Sequence, residues 1–294
     1  MPALSRQQLA VLLGLTLAWG LNWPVMKLGV QGFPPLTFRA VAMLAGLPLL
    51  WLLVRLLKVP LRVPRAQWGQ LLWLGLLNTV LWNALVIFAL PMLPSGRAAI
   101  LGYTMPIFSA LLGALFFHDR LPARGWAGVA AAAIGVWLLL WNEMASIGGR
   151  PVGVALLLVA AATWALGTQL LRRAHLAAPT LALSFWMMAE AAAVQSALSL
   201  LFEHRQWHAP SAGAAWALAY NAVVVIALAQ AAWFHLARTL PPLASTLSVM
   251  MIPVLGVFGS ALWLGEQLRW QDWTATALMT IAIASVLWPA PEPA

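Results

Sequence analysis

Residues 93–141, LPSGRAAILGYTMPIFSALLGALFFHDRLPARGWAGVAAAAIGVWLLLW, align without a gap to residues 240–288, LPPLASTLSVMMIPVLGVFGSALWLGEQLRWQDWTATALMTIAIASVLW. Across these 49 positions Pro94 meets Pro241, Pro106 meets Pro253, Leu121 meets Leu268, Trp126 meets Trp273 and Trp141 meets Trp288. Asp119 meets Glu266 at the same turn. A weaker register, shifted by two residues, pairs Trp19 with Trp164, Lys27 with Arg172 and Pro34 with Pro179. The chain is therefore one unit written twice.

Composition names the solvent. Of 294 residues 63% are hydrophobic and 8% are charged, where an ordinary globular chain has about 25% charged residues. Helices of about 20 apolar residues cross the hydrocarbon of a bilayer with every backbone hydrogen bond made internally. Ten such stretches are expected, over residues 8–30, 34–57, 67–90, 93–117, 122–142, 151–173, 178–202, 211–237, 240–265 and 270–288. Their connections are short and hold most of the charges, as in KVPLRVPRAQ, HDRLPARG and NEMASIGGRP. The first stretch is expected to be retained as a span rather than removed as a signal peptide. With no cysteine in the chain, disulfides, thiolate metal sites and cysteine nucleophiles are excluded. The net charge of +9 is spread singly or in small groups between apolar runs and forms no basic domain, so no nucleic-acid partner is expected.

The expected fold class is thus an all-α polytopic membrane protein of ten transmembrane helices. Residues 1–142 form the first five-helix repeat, 143–150 a linker and 151–294 the second repeat. Because five is odd, the second repeat enters the membrane from the opposite side, and the two units are inverted relative to one another. Secondary transporters are built this way, with the site at the repeat interface near mid-depth. Lysine and arginine set the orientation. A cytoplasmic N-terminus places ten of the sixteen inside, against six outside. Both termini are expected in the cytoplasm, with the chain in the cell inner (plasma) membrane.

The segment AWGLNWPVMKLG, residues 18–29, carries an asparagine, two tryptophans, a proline and a lysine inside an apolar run. Trp19, Asn22, Trp23 and Met26 follow i, i+3, i+4, i+7 spacing and share one helix face. Pro24 removes a backbone hydrogen bond and can kink the helix. Trp19 and its repeat mate Trp164 both fall near the middle of their spans, away from the interfacial belts, as two walls of one central cavity would.

The same segment, with PPLTFRAVAMLAG at 34–46 and VMMIPVLGVFGSALWLGEQLRWQDWTATALM at 249–279, resembles the two ends of an EamA-type domain of the drug/metabolite transporter superfamily. The resemblance covers essentially the whole chain, twice over, and within the superfamily the chain is most similar to YddG-type exporters of aromatic amino acids, which also handle some cationic xenobiotics. It implies a ten-helix basket, a central cavity between the halves and export from the cytoplasm. The second repeat departs from the motif, with TWALGTQ at 163–169, so Asn22 has no polar twin.

Further mid-depth residues complete a candidate substrate-binding lining: Asn78, Trp82 and Asn83 on the third helix, Tyr103 on the fourth, Thr168 on the sixth, Trp186 on the seventh, Tyr220 and Gln230 on the eighth and Met250 on the ninth. Each of these also fits an ordinary helix–helix contact. Aromatic walls with a few amides suit an aromatic or neutral amino acid through ring stacking, and equally a planar cation. Pro106 and Pro253, at matching positions, are candidate gates alongside Pro24. Glu190 is the one acid expected deep in a span and is a candidate proton or amine site, with a structural hydrogen bond as the plain alternative. Lys27, Arg39 and Arg97 lie near span ends, where snorkelling is the usual explanation.

Rival classes fare unevenly. No GK[ST] phosphate loop exists, since both lysines are followed by other residues, Lys27 by Leu28 and Lys58 by Val59, so an ATP-driven pump is excluded within this chain. EHRQWH at 203–208 holds two histidines without an acidic cluster, so neither a metal site nor an enzyme is expected, and no cofactor is called for. The expected function is export of small amphipathic metabolites by alternating access, foremost aromatic and other neutral amino acids. A cationic-xenobiotic exporter or a channel-like pore is the alternative. The expected partners are the small-molecule substrate and the lipid bilayer, with the protein a monomer.

Overall fold

Prolines account for the breaks in two helices, although Pro48 and Pro253 lie inside unbroken ones. The computed structural model describes residues 6–145, 150–230, 232 and 242–287, with the side chains of 6, 7, 142, 143, 145, 242–250, 286 and 287 outside the description. Among the described residues every regular element is helical. Helix α1 comprises Arg6–Gly20 and Asn22–Gln31, separated by a turn at Leu21. Pro24 has no N–H to offer the Gly20 carbonyl, and the interruption falls there. Helix α2 runs Pro35–Leu56. Helix α3 (Arg65–Met92) contains a π turn at Leu76–Val80. Helix α4 comprises Ser95–Gly102 and Met105–Phe116, broken where Pro106 leaves the Gly102 carbonyl without its donor.

Helices α5 (Ala123–Ala145), α6 (Pro151–Arg173) and α7 (Thr180–Phe202) are unbroken. Helix α8 is an α-helix over Ala212–Tyr220 continued by a π stretch over Asn221–Ala229. Helix α9 (Pro242–Leu264) carries Pro253 in its interior without interruption, and α10 runs Trp270–Leu287. The first eight are long and apolar enough to cross a membrane, and Met251–Leu264 within α9 is a shorter apolar helix. The expected continuation of the eighth span to 237, apart from 232, and the start of the ninth at 240 fall outside the described residues, as do Pro241, Trp288 and residues 146–149 of the 143–150 linker.

The outer faces are apolar. Leu262 is 81% exposed, and tryptophans such as Trp51, Trp73, Trp137 and Trp263 stand on the surface, which is the arrangement lipid favours and water does not. Inside lipid, helices associate through close packing rather than a hydrophobic drive, so small residues sit at the crossings. A Cβ added at Gly46 of α2 would lie 2.7 Å from Ile226 Cγ2 of α8.

The packing is paired. Helix α5 lies against α10, α2 against α7 and α4 against α9. The contacts α3–α6, α3–α7 and α4–α6 have counterparts in α8–α1, α8–α2 and α9–α1. Loops gather at two ends. At one end Ser211 N–H donates to the Gly32 carbonyl, and Lys27 reaches the end of α3. At the other, Gln67 accepts from Ala177 N–H, and Arg173 meets Asp119.

Candidate functional site

Between the two halves lies a cavity of about 890 Å³. Its walls come from all of α1–α4, from α6–α8 and from Ile252 of α9. Helix α1 supplies Trp19, Asn22, Trp23 and Met26, the face that the sequence spacing assigns. Trp23 is 3% exposed and meets Tyr103 edge-on, with ring centroids 6.4 Å apart at 66°. Both rings flank the proline breaks of α1 and α4. The break at Gly102 also brings the chain close to Trp23, because a Cβ there would stand 2.5 Å from the ring.

The π turn of α3 carries part of the polar face. Asn78, Thr79, Trp82 and Asn83 all line the cavity in and just after this turn, and π turns often mark functional sites. Asn78 Nδ2 donates to Thr168 Oγ1 at 2.9 Å and to the Trp164 carbonyl at 3.3 Å, which ties α3 to α6. Asn83 Nδ2 donates to the Thr79 carbonyl at 2.7 Å. Asn22 Oδ1, in contrast, is buried and accepts no hydrogen bond.

The cavity is open at one end. Asp119, Arg120, Leu121 and Pro122 after α4, with Arg172 near the end of α6 and Thr180 at the start of α7, form its rim. The other end is sealed by buried polar contacts. Arg97 Nε donates to Asp272 Oδ1 at 2.5 Å, with the two side chains 8% and 3% exposed. Glu266 accepts from the N–H of Ser95 and Gly96 at 2.7 and 3.2 Å, at the N-terminus of α4, where a carboxylate meets the free donors and the positive end of the dipole. Ser95 and Ser260 share a hydroxyl contact at 2.8 Å beside it. The pattern recurs at α2, where Glu203 accepts from Leu36 and Thr37 N–H at 3.0 and 2.8 Å and Thr37 meets Ser199 at 2.7 Å. Lys27 does not snorkel, since its Nζ donates to the carbonyls of Leu90, Pro91 and Leu93.

The two halves, over residues 8–141 and 151–288, each match the EamA-like transporter family. The chain belongs to that family. As an EamA-like protein it is similar to the uncharacterized transporter YoaV of Bacillus subtilis, at 23% identity over 87% of this chain and 88% of that one. It is similar also to the uncharacterized inner membrane transporter YedA of Escherichia coli, at 29% identity over 94% of this chain and 89% of the relative. A "Probable amino-acid metabolite efflux pump" of Escherichia coli matches at 30% identity over 56% of this chain and 53% of its own. A crystal structure of another protein shares the fold, with a TM-score of 0.66 at 19% identity, over 96% of this chain and 98% of that one. This EamA-like chain is thus a multi-pass membrane transporter.

Within the EamA-like chain, Trp19, Asn22, Trp23, Asn78, Trp82, Asn83, Tyr103, Trp164, Thr168 and Gln230 are brought together around the cavity. Two expected lining residues stand elsewhere. Helix α7 turns Thr180, Leu183, Ser184, Met187 and Met188 inward, and Trp186 falls off that face. Its Nε1 donates to the Leu61 carbonyl at 2.8 Å, and its ring packs on Trp68 and Phe185 in a separate surface groove. Tyr220 donates to the Ala18 carbonyl at 2.7 Å and lies against Trp216. The Met250 side chain lies outside the description.

Of the proline positions, Pro106 lines the cavity, whereas Pro24 and Pro253 stand behind its wall. Glu190 is off the cavity too, with Oε2 buried against Gly75 and accepting no hydrogen bond. Sequence reasoning passed over Met26 as a ligand contact, Met43, Ser109, Gln169, Met187 and Met188, and above all Arg39. A signal for Ser184 existed, because the register pairing Pro34 with Pro179 puts it opposite Arg39.

Proposed function

We propose that this EamA-like protein exports small amphipathic metabolites, foremost aromatic and other neutral amino acids, by alternating access through the central cavity. The carrying observation is a pocket walled by tryptophan, tyrosine and amides that opens at one end and is sealed at the other by buried ion and capping contacts. A continuous pore has no use for such a seal, and aromatic walls add about 0.5 to 1.5 kcal/mol per stacked ring beyond burial.

The fold reading behind it is ten spans in two inverted five-helix repeats, over 1–142 and 151–294 with 143–150 as linker. The paired helix contacts and the double family match support it. On this reading the rim, flanked by Arg55, Lys58, Arg62, Arg65, Arg120, Arg124, Arg172 and Arg173, is the cytoplasmic end. Both termini then lie in the cytoplasm, the protein is a monomer in the inner membrane, and the cavity faces its substrate supply. Pro24, Pro106 and Pro253 are the flexing points. The amino-acid efflux relative points the same way.

The test is uptake of radiolabelled phenylalanine, tryptophan and threonine into liposomes holding the purified protein, with and without a pH gradient. Saturable uptake indifferent to the gradient is the expected result. Uptake driven by the gradient would bring Glu190 in as the coupling acid, and absence of uptake of all three would remove the amino-acid assignment.

A further inference from the structure

Arg39 is a buried cation with no anion to meet it among the described residues. It sits one turn into α2, is 5% exposed and lines the cavity near Met26 and Met43. Its Nη1 donates to Asn221 Oδ1 at 3.3 Å, its Nη2 lies 2.6 Å from Met26 Sδ, and its Nε makes no hydrogen bond. Both contacts are neutral. Among the described residues no carboxylate comes within salt-bridge distance of Arg39. Glu203 caps the same helix but commits both oxygens to Leu36 and Thr37, and Asp119 at the rim pairs with Arg173.

A buried charge is costly unless paired and hydrogen-bonded. The guanidinium lies in the cavity wall with its Nε buried and unpartnered, and its Nη1 and Nη2 make only neutral contacts, which an oxyanion would replace with stronger, charge-assisted ones. The rest of the cavity adds Arg120 and Arg172 at its mouth, so the local field also favours a negative group. Asn22 Oδ1, buried in the same wall and accepting nothing, suits an N–H donor.

We propose that Arg39 anchors a carboxylate in the central cavity, so that the substrates are carboxylic acids on an apolar or aromatic body, with Asn22 receiving the amine where one is present. This rests on the cavity being the transport site, and it sets cationic xenobiotics aside. Arg39 fills the role that snorkelling would otherwise have explained.

The experiment titrates the purified full-length protein calorimetrically with three matched ligands: phenylalanine, 3-phenylpropionate and phenethylamine. Wild type, Arg39→Gln and Arg39→Lys are compared, with uptake into liposomes measured in parallel. The two acids are expected to bind at least about tenfold more tightly than the amine, and Arg39→Gln to lose about ten- to hundredfold for the acids, the range of a charged hydrogen bond. Arg39→Lys keeps part of that affinity. Without ligand, Arg39→Gln is expected to melt at or above the wild-type temperature, because it deletes an uncompensated buried charge; a merely structural arginine would lower it.

If Arg39→Gln does not fold, the ligand series on wild type and Arg39→Lys decides. Amine binding as tight as the acids, acid binding unchanged in Arg39→Gln, or no acid binding at all would each overturn the proposal. Arg39-dependent acid binding without saturable uptake would keep the anion site and overturn the carrier reading instead. Uptake of acids that ignores Arg39→Gln would keep the carrier and overturn the anion site.

Discussion

Asp119 and Glu266 occupy matching positions in the two copies of the repeat, yet one stands at the open end of the cavity and the other at the sealed end. Glu266 accepts from the backbone at the start of α4. Asp119 forms a salt bridge with Arg173 at 2.7 Å, with side chains 51% and 35% exposed, in the rim itself. Lys27 and Arg172 differ in the same sense, the first engaged with three carbonyls and the second lining the mouth. Near-equivalent sequence therefore does two jobs at once. The polar groups of one end are consumed in closure while those of the other face the cavity, an asymmetry that the proposed alternating access would require of one of its two states.

The largest effect separates the two ends. Asp272→Asn takes the carboxylate from a buried guanidinium, a loss of about 3 to 5 kcal/mol in comparable buried pairs. Asp119→Asn removes an exposed pair and should cost at most about 1 kcal/mol. Thermal unfolding in detergent measures both, and equal losses would break the contrast. Because the chain contains no cysteine, a single Ala98→Cys reports on the sealed end without background. Its labelling by an impermeant thiol reagent should rise in Asp272→Asn and stay low in Asp119→Asn.

Much of this was legible before any coordinate. The apolar runs give the helices, the register of prolines and tryptophans gives the repeat, and i, i+3, i+4 spacing on α1 gives a cavity face. What escaped depended on packing between distant segments. Arg39 lies near a helix end, where a long cation ordinarily reaches water, and its burial follows only from α1 and α8 closing over it. Trp186 looked central by depth, but depth does not tell which face of α7 turns inward. The π turn in α3 leaves no mark in a residue pattern, yet Asn78, Trp82 and Asn83 were read from the sequence, and only Thr79 of that face was missed.

Prolines give a middle-sized test of the same contrast. Pro106 opens the segment Met105–Phe116 at a position where a missing N–H costs nothing, whereas Pro253 lies inside a continuous helix, a placement that costs roughly 3 kcal/mol in an ordinary helix. If flexing at these sites limits transport, Pro253→Ala stiffens α9 and should slow uptake several-fold. Pro106→Ala should do less, since its helix is already broken at Tyr103 and Thr104. Unchanged uptake in both variants would reduce the prolines to packing features.

The smallest effect concerns two tryptophans of similar depth and different surroundings. Trp23 is edge-on to Tyr103 inside the cavity, so Trp23→Phe keeps an aromatic wall but shrinks it, and aromatic ligands should bind a few-fold more weakly, within the roughly 0.5 to 1.5 kcal/mol of one ring contact. Trp186→Phe removes the hydrogen bond to the Leu61 carbonyl and should cost about 1 kcal/mol of stability with no change in ligand affinity. Calorimetric affinity and melting temperature on the same two variants give opposite patterns if the cavity boundary is right. An affinity loss in Trp186→Phe equal to that in Trp23→Phe would mean that the transport path runs through the groove behind α7 as well.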